Sequence, residues 1–131
     1  MTDRDSTTDW RQLREFADVD LERSFVLSWH IESEALIIDI DLFLMPAHPF
    51  YEQPRPAEKV CIRPARIEFP VCEALGPDGG ADAAIAESAG RLGHGAISSF
   101  RRRADGRYEI GGEFGTVFID AERPLLKLRS L

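Results

Sequence analysis

Residues 35 to 45, "ALIIDIDLFLM", constrain the fold of this chain more than any other stretch. Leu36, Ile38, Ile40, Leu42 and Leu44 recur at every second position, with Ile37, Asp39, Asp41 and Phe43 between them. Neighbouring side chains of a strand point to opposite faces, so period two held over this length predicts a strand with its aliphatic set toward a core. Just upstream, "SFVLSWHI" sets Phe25, Leu27, Trp29 and Ile31 on one face of a half-buried strand and Val26, Ser28 and His30 on the other. The polar "ESE" at 32 to 34 joins the two strands as a β-hairpin.

The remaining segments read as short strands and turns. "TTDWRQLREFADVDLE" predicts a short amphipathic helix over about residues 9 to 17, capped by Thr8 or Asp9 and docked by Trp10 and Phe16. "KVCIRPARIEFPVCEAL" is strand-like but broken by Pro64 and Pro70, which predicts an edge strand or two short strands with a bend. Residues 76 to 95 are rich in Gly and Ala and read as a long loop with a turn of helix near 82 to 89. Asp105-Gly106 marks a hairpin. A two-residue turn there pairs Arg103 with Tyr108 and Arg102 with Glu109, but strict alternation puts Ile97 and Phe100 on opposite faces, so a bulge would rearrange these pairs. "EFGTVFIDA" is nearly continuously apolar and reads as central, with "PLLKLR" as the last strand. The expected fold is all-β and mainly antiparallel, a sandwich or partly open barrel of about 6–8 strands with one short N-terminal helix. A chain of 131 residues suits one domain spanning 1–131, with 1–8 expected as a flexible tail.

Charge narrows the partners. Residues 1 to 45 carry 11 acids and 4 bases, and the rest carry 12 of each, so the whole net charge of −7 lies in the first third. Such a surface repels phosphate backbones, so no nucleic-acid partner is expected, and a basic protein is the favoured partner. A solubilising surface is the simpler reading of the same charge. The start "MTDRDSTTDW" lacks a basic segment followed by an apolar run, and no apolar stretch approaches the ~20 residues of a membrane span. A cytoplasmic location without membrane contact is expected, with Cys61 and Cys72 as reduced thiols.

No stretch carries a complete catalytic motif. Asp39 and Asp41 share a strand face about 6.6 Å apart, a spacing open to paired carboxylate catalysis or a hard cation. Flanked by Ile37 and Phe43 and with no third acid placed beside them, they read more simply as a solvated face. His30, His48, His94, Cys61 and Cys72 lack zinc-ligand spacing, so no metal or cofactor is expected. The Arg101-Arg102-Arg103 run cannot form one patch in extended chain. The glycine clusters "GRLGHG" and "GGEFG" lack the order of a phosphate loop.

The segment 46 to 56 holds Pro46, Pro49, Pro54 and Pro56, which stiffen it. His48, Tyr51 and Arg55 on such a loop form a candidate recognition surface, since ordered aromatics and Arg bind with little entropy left to lose. Alternatively Phe50 and Tyr51 turn inward to close the fold, or Phe50 lies inside with Tyr51 and Arg55 outside. Glu32, Glu34, Asp39 and Asp41 form a second, acidic candidate surface.

"LERSFVLSWHIE", "HPFYEQPRPAEKVCIRPARIEFP" and "GGEFGTVFIDAERPLLKL" resemble small uncharacterised bacterial β-proteins, some of which occur beside toxin systems as immunity proteins. The resemblance covers residues 19 to 128 and its motifs are structural, so it carries no site residue. It implies a cytoplasmic bacterial protein with a partner-binding role. Three functional expectations follow: a non-enzymatic binding module of immunity type with its acidic face toward a basic protein; a small-molecule binder or enzyme with a pocket near loop 46–56; and a self-associating β-protein, such as a homodimer, that pairs through the proline-broken strand.

Overall fold

The computed structural model describes residues 7–54, 56, 59–76 and 85–129. The backbone forms β1 (Thr8–Asp9), two 3₁₀ turns (Trp10–Gln12 and Arg14–Phe16), β2 (Val19–Glu32), β3 (Ala35–Leu44), β4 (Cys61–Phe69), β5 (Ala74–Gly76), α1 (Ile85–Arg91), β6 (Gly95–Arg102), β7 (Tyr108–Gly112), β8 (Gly115–Asp120) and β9 (Leu125–Leu128). The architecture is all-β: one antiparallel sheet in the order β5-β8-β7-β6-β2-β3-β4-β9, with β1 added alongside β6. It is an open sheet, since β5 and β9 end it without meeting. The sheet curls on itself, which brings Phe69 of β4 against Phe100 of β6 (6.1 Å between ring centroids) and Tyr108 of β7 (5.2 Å). Among the described residues no helix is long and apolar enough to cross a membrane.

The alternation of β3 holds in full. Leu36, Ile38, Ile40, Leu42 and Leu44 are all buried. The hairpin turn places both Ser33 (φ 48°) and Glu34 (φ 70°) in the left-handed region, the geometry whose twist matches a two-residue hairpin. The Cys72 amide donates to the Glu34 carbonyl at 2.9 Å and ties the turn down.

β2 does not keep one face. Between Asp20 and Phe25 the register against β3 slips, and it slips again between Val26 and Ser28. At the first slip Ser24, wholly buried, accepts from the Phe43 amide (3.0 Å) and donates to the Asp20 carbonyl (2.8 Å). At the second, the inserted Leu27 sits on the same side as Ser28, as an extra residue in a bulge does. Val26 is therefore core, whereas Phe25 (47% exposed) and Leu27 (50%) face out. The single apolar face of Phe25, Leu27, Trp29 and Ile31 expected from alternation is broken by these two bulges.

Other expectations shift for similarly local reasons. The N-terminal helix is a pair of 3₁₀ turns, because its buried residues Trp10, Leu13 and Phe16 recur every third position and match three residues per turn. Thr8 lies in β1, and residues 1–6 of the expected tail fall outside the described residues. α1 occupies part of the expected 76–95 loop, where residues 77–84 are also outside them. The proline-interrupted stretch divides at Pro70 into β4 and β5, as the two-strand alternative had it, whereas Pro64 does not break β4, which is no edge because β9 pairs with its Ala65–Glu68 segment. In the β6–β7 hairpin Arg103 and Arg107 pair across a three-residue turn whose last residue, Gly106, has φ 91°. This moves the ladder by one, so Arg102 opposes Tyr108 and Arg101 opposes Glu109. A bulge between Ile97 and Ser99 brings Ile97 and Phe100 to the same core.

Candidate functional site

The register lines up side chains on the outer face of β2, β3, β4 and β9. One row runs Ser28, Asp39, Arg66, Lys127; the next runs His30, Ile37, Glu68, Leu125. Together with Glu32 and Arg129 these rows form a charge ladder. Asp39 accepts a hydrogen bond from the Ser28 hydroxyl (3.0 Å) and lies 3.6 Å from His30 Nδ1, 3.9 Å from Arg66 and 4.0 Å from Arg129. Glu32 lies 2.7 Å from His30 Nε2 and 3.8 Å from Arg66. Glu68 takes Lys127 at 3.1 Å and Arg66 at 3.8 Å.

This geometry does not activate a nucleophile. The Ser28 hydroxyl donates to Asp39, and the imidazole Nε2 that would serve as base is engaged by Glu32. Asp39 is instead surrounded by cations of its own chain, which suits neither half of a carboxylate pair nor a cation site. Among the described residues no three His, Cys, Asp or Glu side chains converge as metal ligands.

The other half of the same face is apolar. The rows Phe25-Asp41-Pro64 and Asp20-Phe43-Ile62 place Phe25, Phe43 and Ile62 around Asp41, with Leu27 beside them in the bulge. Ile62 is 41% exposed. Arg23 lies over the Phe43 ring at 5.3 Å and is held by Asp20 at 3.5 Å. Asp41 has no ion pair among the described residues, and nor has Glu34 at the hairpin tip. Of the acidic candidates, the structure thus joins Glu32 and Asp39 into the charge ladder, sets Asp41 in an apolar patch, and leaves Glu34 apart. Sequence alternation missed Phe25, Leu27 and Ile62 as surface residues, and only the bulges reveal the first two.

The proline loop is ordered by two tight turns, with the His48 amide donating to Met45 (2.9 Å) and the Tyr51 amide to His48 (3.0 Å). The Phe50 amide donates to His48 Nδ1 (3.0 Å), and Phe50 is 63% exposed. Tyr51 packs on the core, so the arrangement with Phe50 inside and Tyr51 outside is reversed. The large Tyr51 ring gains by packing on the core, while its exposed neighbour Glu52 pairs with Arg63 on β4. Tyr51 lines a cavity of about 260 Å³ with Asp20, Arg23, Phe43 and Lys59, and His48 is not part of it. Arg55 lies outside the described residues.

The chain is thus an open, curled antiparallel sheet whose outer face is part charge ladder and part apolar patch. Comparison with protein-family models, with curated proteins and with solved structures finds no match.

Proposed function

We propose that this protein is a non-enzymatic binding module that docks a basic protein on the outer face of β2, β3 and β4. The observation that carries this reading is the grouping of Phe25, Leu27 and Ile62, each 41% to 50% exposed, around Asp41, which has no ion pair among the described residues. Clustered exposed apolar side chains with a polar rim favour association, because burying them recovers roughly 25 cal/mol per Å². A carboxylate inside that patch selects a partner that brings a cation, and one that does not would leave a buried charge unpaired. The −7 charge, concentrated in the first third of the chain, adds long-range attraction for such a partner. An immunity-type role in a bacterial cytoplasm fits this chemistry and is part of the proposal.

The test is a pull-down with the tagged full chain at low and high salt, repeated with Phe25→Ser and Asp41→Lys. One basic protein held by the parent chain and lost by both variants supports the reading. Capture that is indifferent to both substitutions, or no capture at all, overturns it.

A further inference from the structure

A second site lies away from this face, at a cleft of about 530 Å³ whose walls include Thr8, Gln12, Arg102, Tyr108, Glu122 and Arg123. Its volume lies within the range of small-molecule sites. Its chemistry follows from the register of the β6–β7 hairpin. Arg101 and Arg103 both reach Glu109, at 2.8 and 3.6 Å, and Arg103 also lies 3.6 Å from Asp105, while Arg107 pairs with Asp105 at 3.2 Å. Alternation sends Arg102 to the opposite side, the side of Phe100, where it stands across from Tyr108. There it has no carboxylate partner among the described residues. Across the cleft Arg123 is already committed to Glu15 at 2.5 Å.

Among the described residues one cation of the cleft, Arg123, thus has a carboxylate partner, while the other, Arg102, has only the Tyr108 hydroxyl beside it. A guanidinium offers a planar fork of N–H donors that fits the two oxygens of a carboxylate or phosphate, and a phenol adds an O–H donor. Glu122 on the same wall opposes negative charge in the cleft, so it limits the ligand to one oxyanion on Arg102 and disfavours a second. We propose that this cleft binds a small ligand through one oxyanion, a carboxylate or a phosphate group, seated on Arg102 and Tyr108, with the rest of the ligand uncharged. The site is independent of the partner-binding face, so failure here leaves that reading untouched, and the reverse.

The experiment is a ¹H–¹⁵N NMR titration of the full chain with acetate and, separately, with inorganic phosphate at fixed ionic strength. Saturable shifts at Thr8, Gln12, Arg102 and Tyr108 are expected, and the probe that saturates names the group. Arg102→Gln should weaken binding by roughly tenfold or more, since a charge-assisted pair is lost. Arg102→Lys, which keeps the charge but not the fork, should fall between. Arg101→Gln should leave affinity within about twofold, and Glu122→Gln should tighten it severalfold by removing repulsion. Saturation by neither probe overturns the proposal, as does equal binding by parent chain and Arg102→Gln with both spectra folded.

Discussion

Replacing Ser24 by Ala tests the bulge that decides which way β2 faces. The hydroxyl is wholly buried and serves two backbone groups, accepting from the Phe43 amide at 3.0 Å and donating to the Asp20 carbonyl at 2.8 Å. Alanine leaves the amide without a partner in a place water does not reach. An orphaned buried donor costs about 1–3 kcal/mol, and the carbonyl, which has a second lone pair, adds less. The cavity is one oxygen in size and contributes little. The net loss should be about 2 kcal/mol, out of the roughly 5–15 kcal/mol typical of a domain. At this chain length that lowers Tm by roughly 6–10 °C. Urea unfolding followed by fluorescence of Trp10 and Trp29 reads the loss as a lower midpoint at unchanged slope. Hydrogen exchange at Phe43 should speed up in parallel. A loss below about 0.5 kcal/mol, or a Phe43 amide as protected as in the parent chain, would refute the assignment of the Ser24 hydroxyl as the bond that completes this ladder.

Two further outcomes follow from the packing. A Cβ on Gly112 would sit 2.1 Å from the Ala96 carbonyl oxygen and 2.7 Å from the Phe114 ring, so Gly112→Ala should cost about 3 kcal/mol or leave the chain unfolded, read by the same urea assay. Burial pushes the Cys72 thiol from 9.0 up to about 11, and Cys61 is buried as well. The thiolate is the reactive form, so a disulfide reagent at pH 8 should label native protein only as fast as it opens; rapid labelling of either thiol would contradict the burial. Because the folded-state value is raised, the stability contributed by the neutral thiol is complete below pH 9.0 and is lost as pH climbs toward 11, a loss that Cys72→Ala should remove.

How far the fold was legible depended on whether a segment obeys one period. β3 does, and its five core residues could be read directly. β2 does not: its bulges insert residues that leave no mark in composition, since "LERSFVLSWH" offers neither Gly nor Pro where the ladder slips. The β6 bulge was visible only because Ile97 and Phe100 could not otherwise share a core. The N-terminal helix expected over 9 to 17 docks through Trp10 and Phe16 but is two 3₁₀ turns, since spacing of three suits 3₁₀ as well as α geometry over so short a span. β4 read as an edge because proline removes a ladder donor, yet β9 pairs with it up to Ala65 and the Pro64 carbonyl still accepts from the Arg129 amide at 3.0 Å. The acidic candidates were chosen by type, but their surroundings diverge with cross-strand neighbours that only the register supplies.

That divergence separates two accounts of the outer face. If net acidity alone drew a partner, Asp39 and Asp41 would contribute alike, being two residues apart on one strand face. The register makes them different. Asp39 stands among His30, Arg66 and Arg129, so its charge is spent within the chain, and neutralising it disturbs the ladder more than any interface. Asp39→Asn should lower stability by about 1 kcal/mol, a modest figure because solvent screens the outer partners, and should leave partner affinity within about twofold. Asp41 has no cation partner among the described residues, so a partner's Lys or Arg would meet it inside a desolvated apolar patch. There Asp41→Asn should weaken binding by roughly tenfold or more while barely changing the urea midpoint. Calorimetric titration of the captured partner against both variants distinguishes the two accounts. Equal losses for Asp39→Asn and Asp41→Asn would mean that charge density, not the apolar patch with its one unpaired acid, governs recognition.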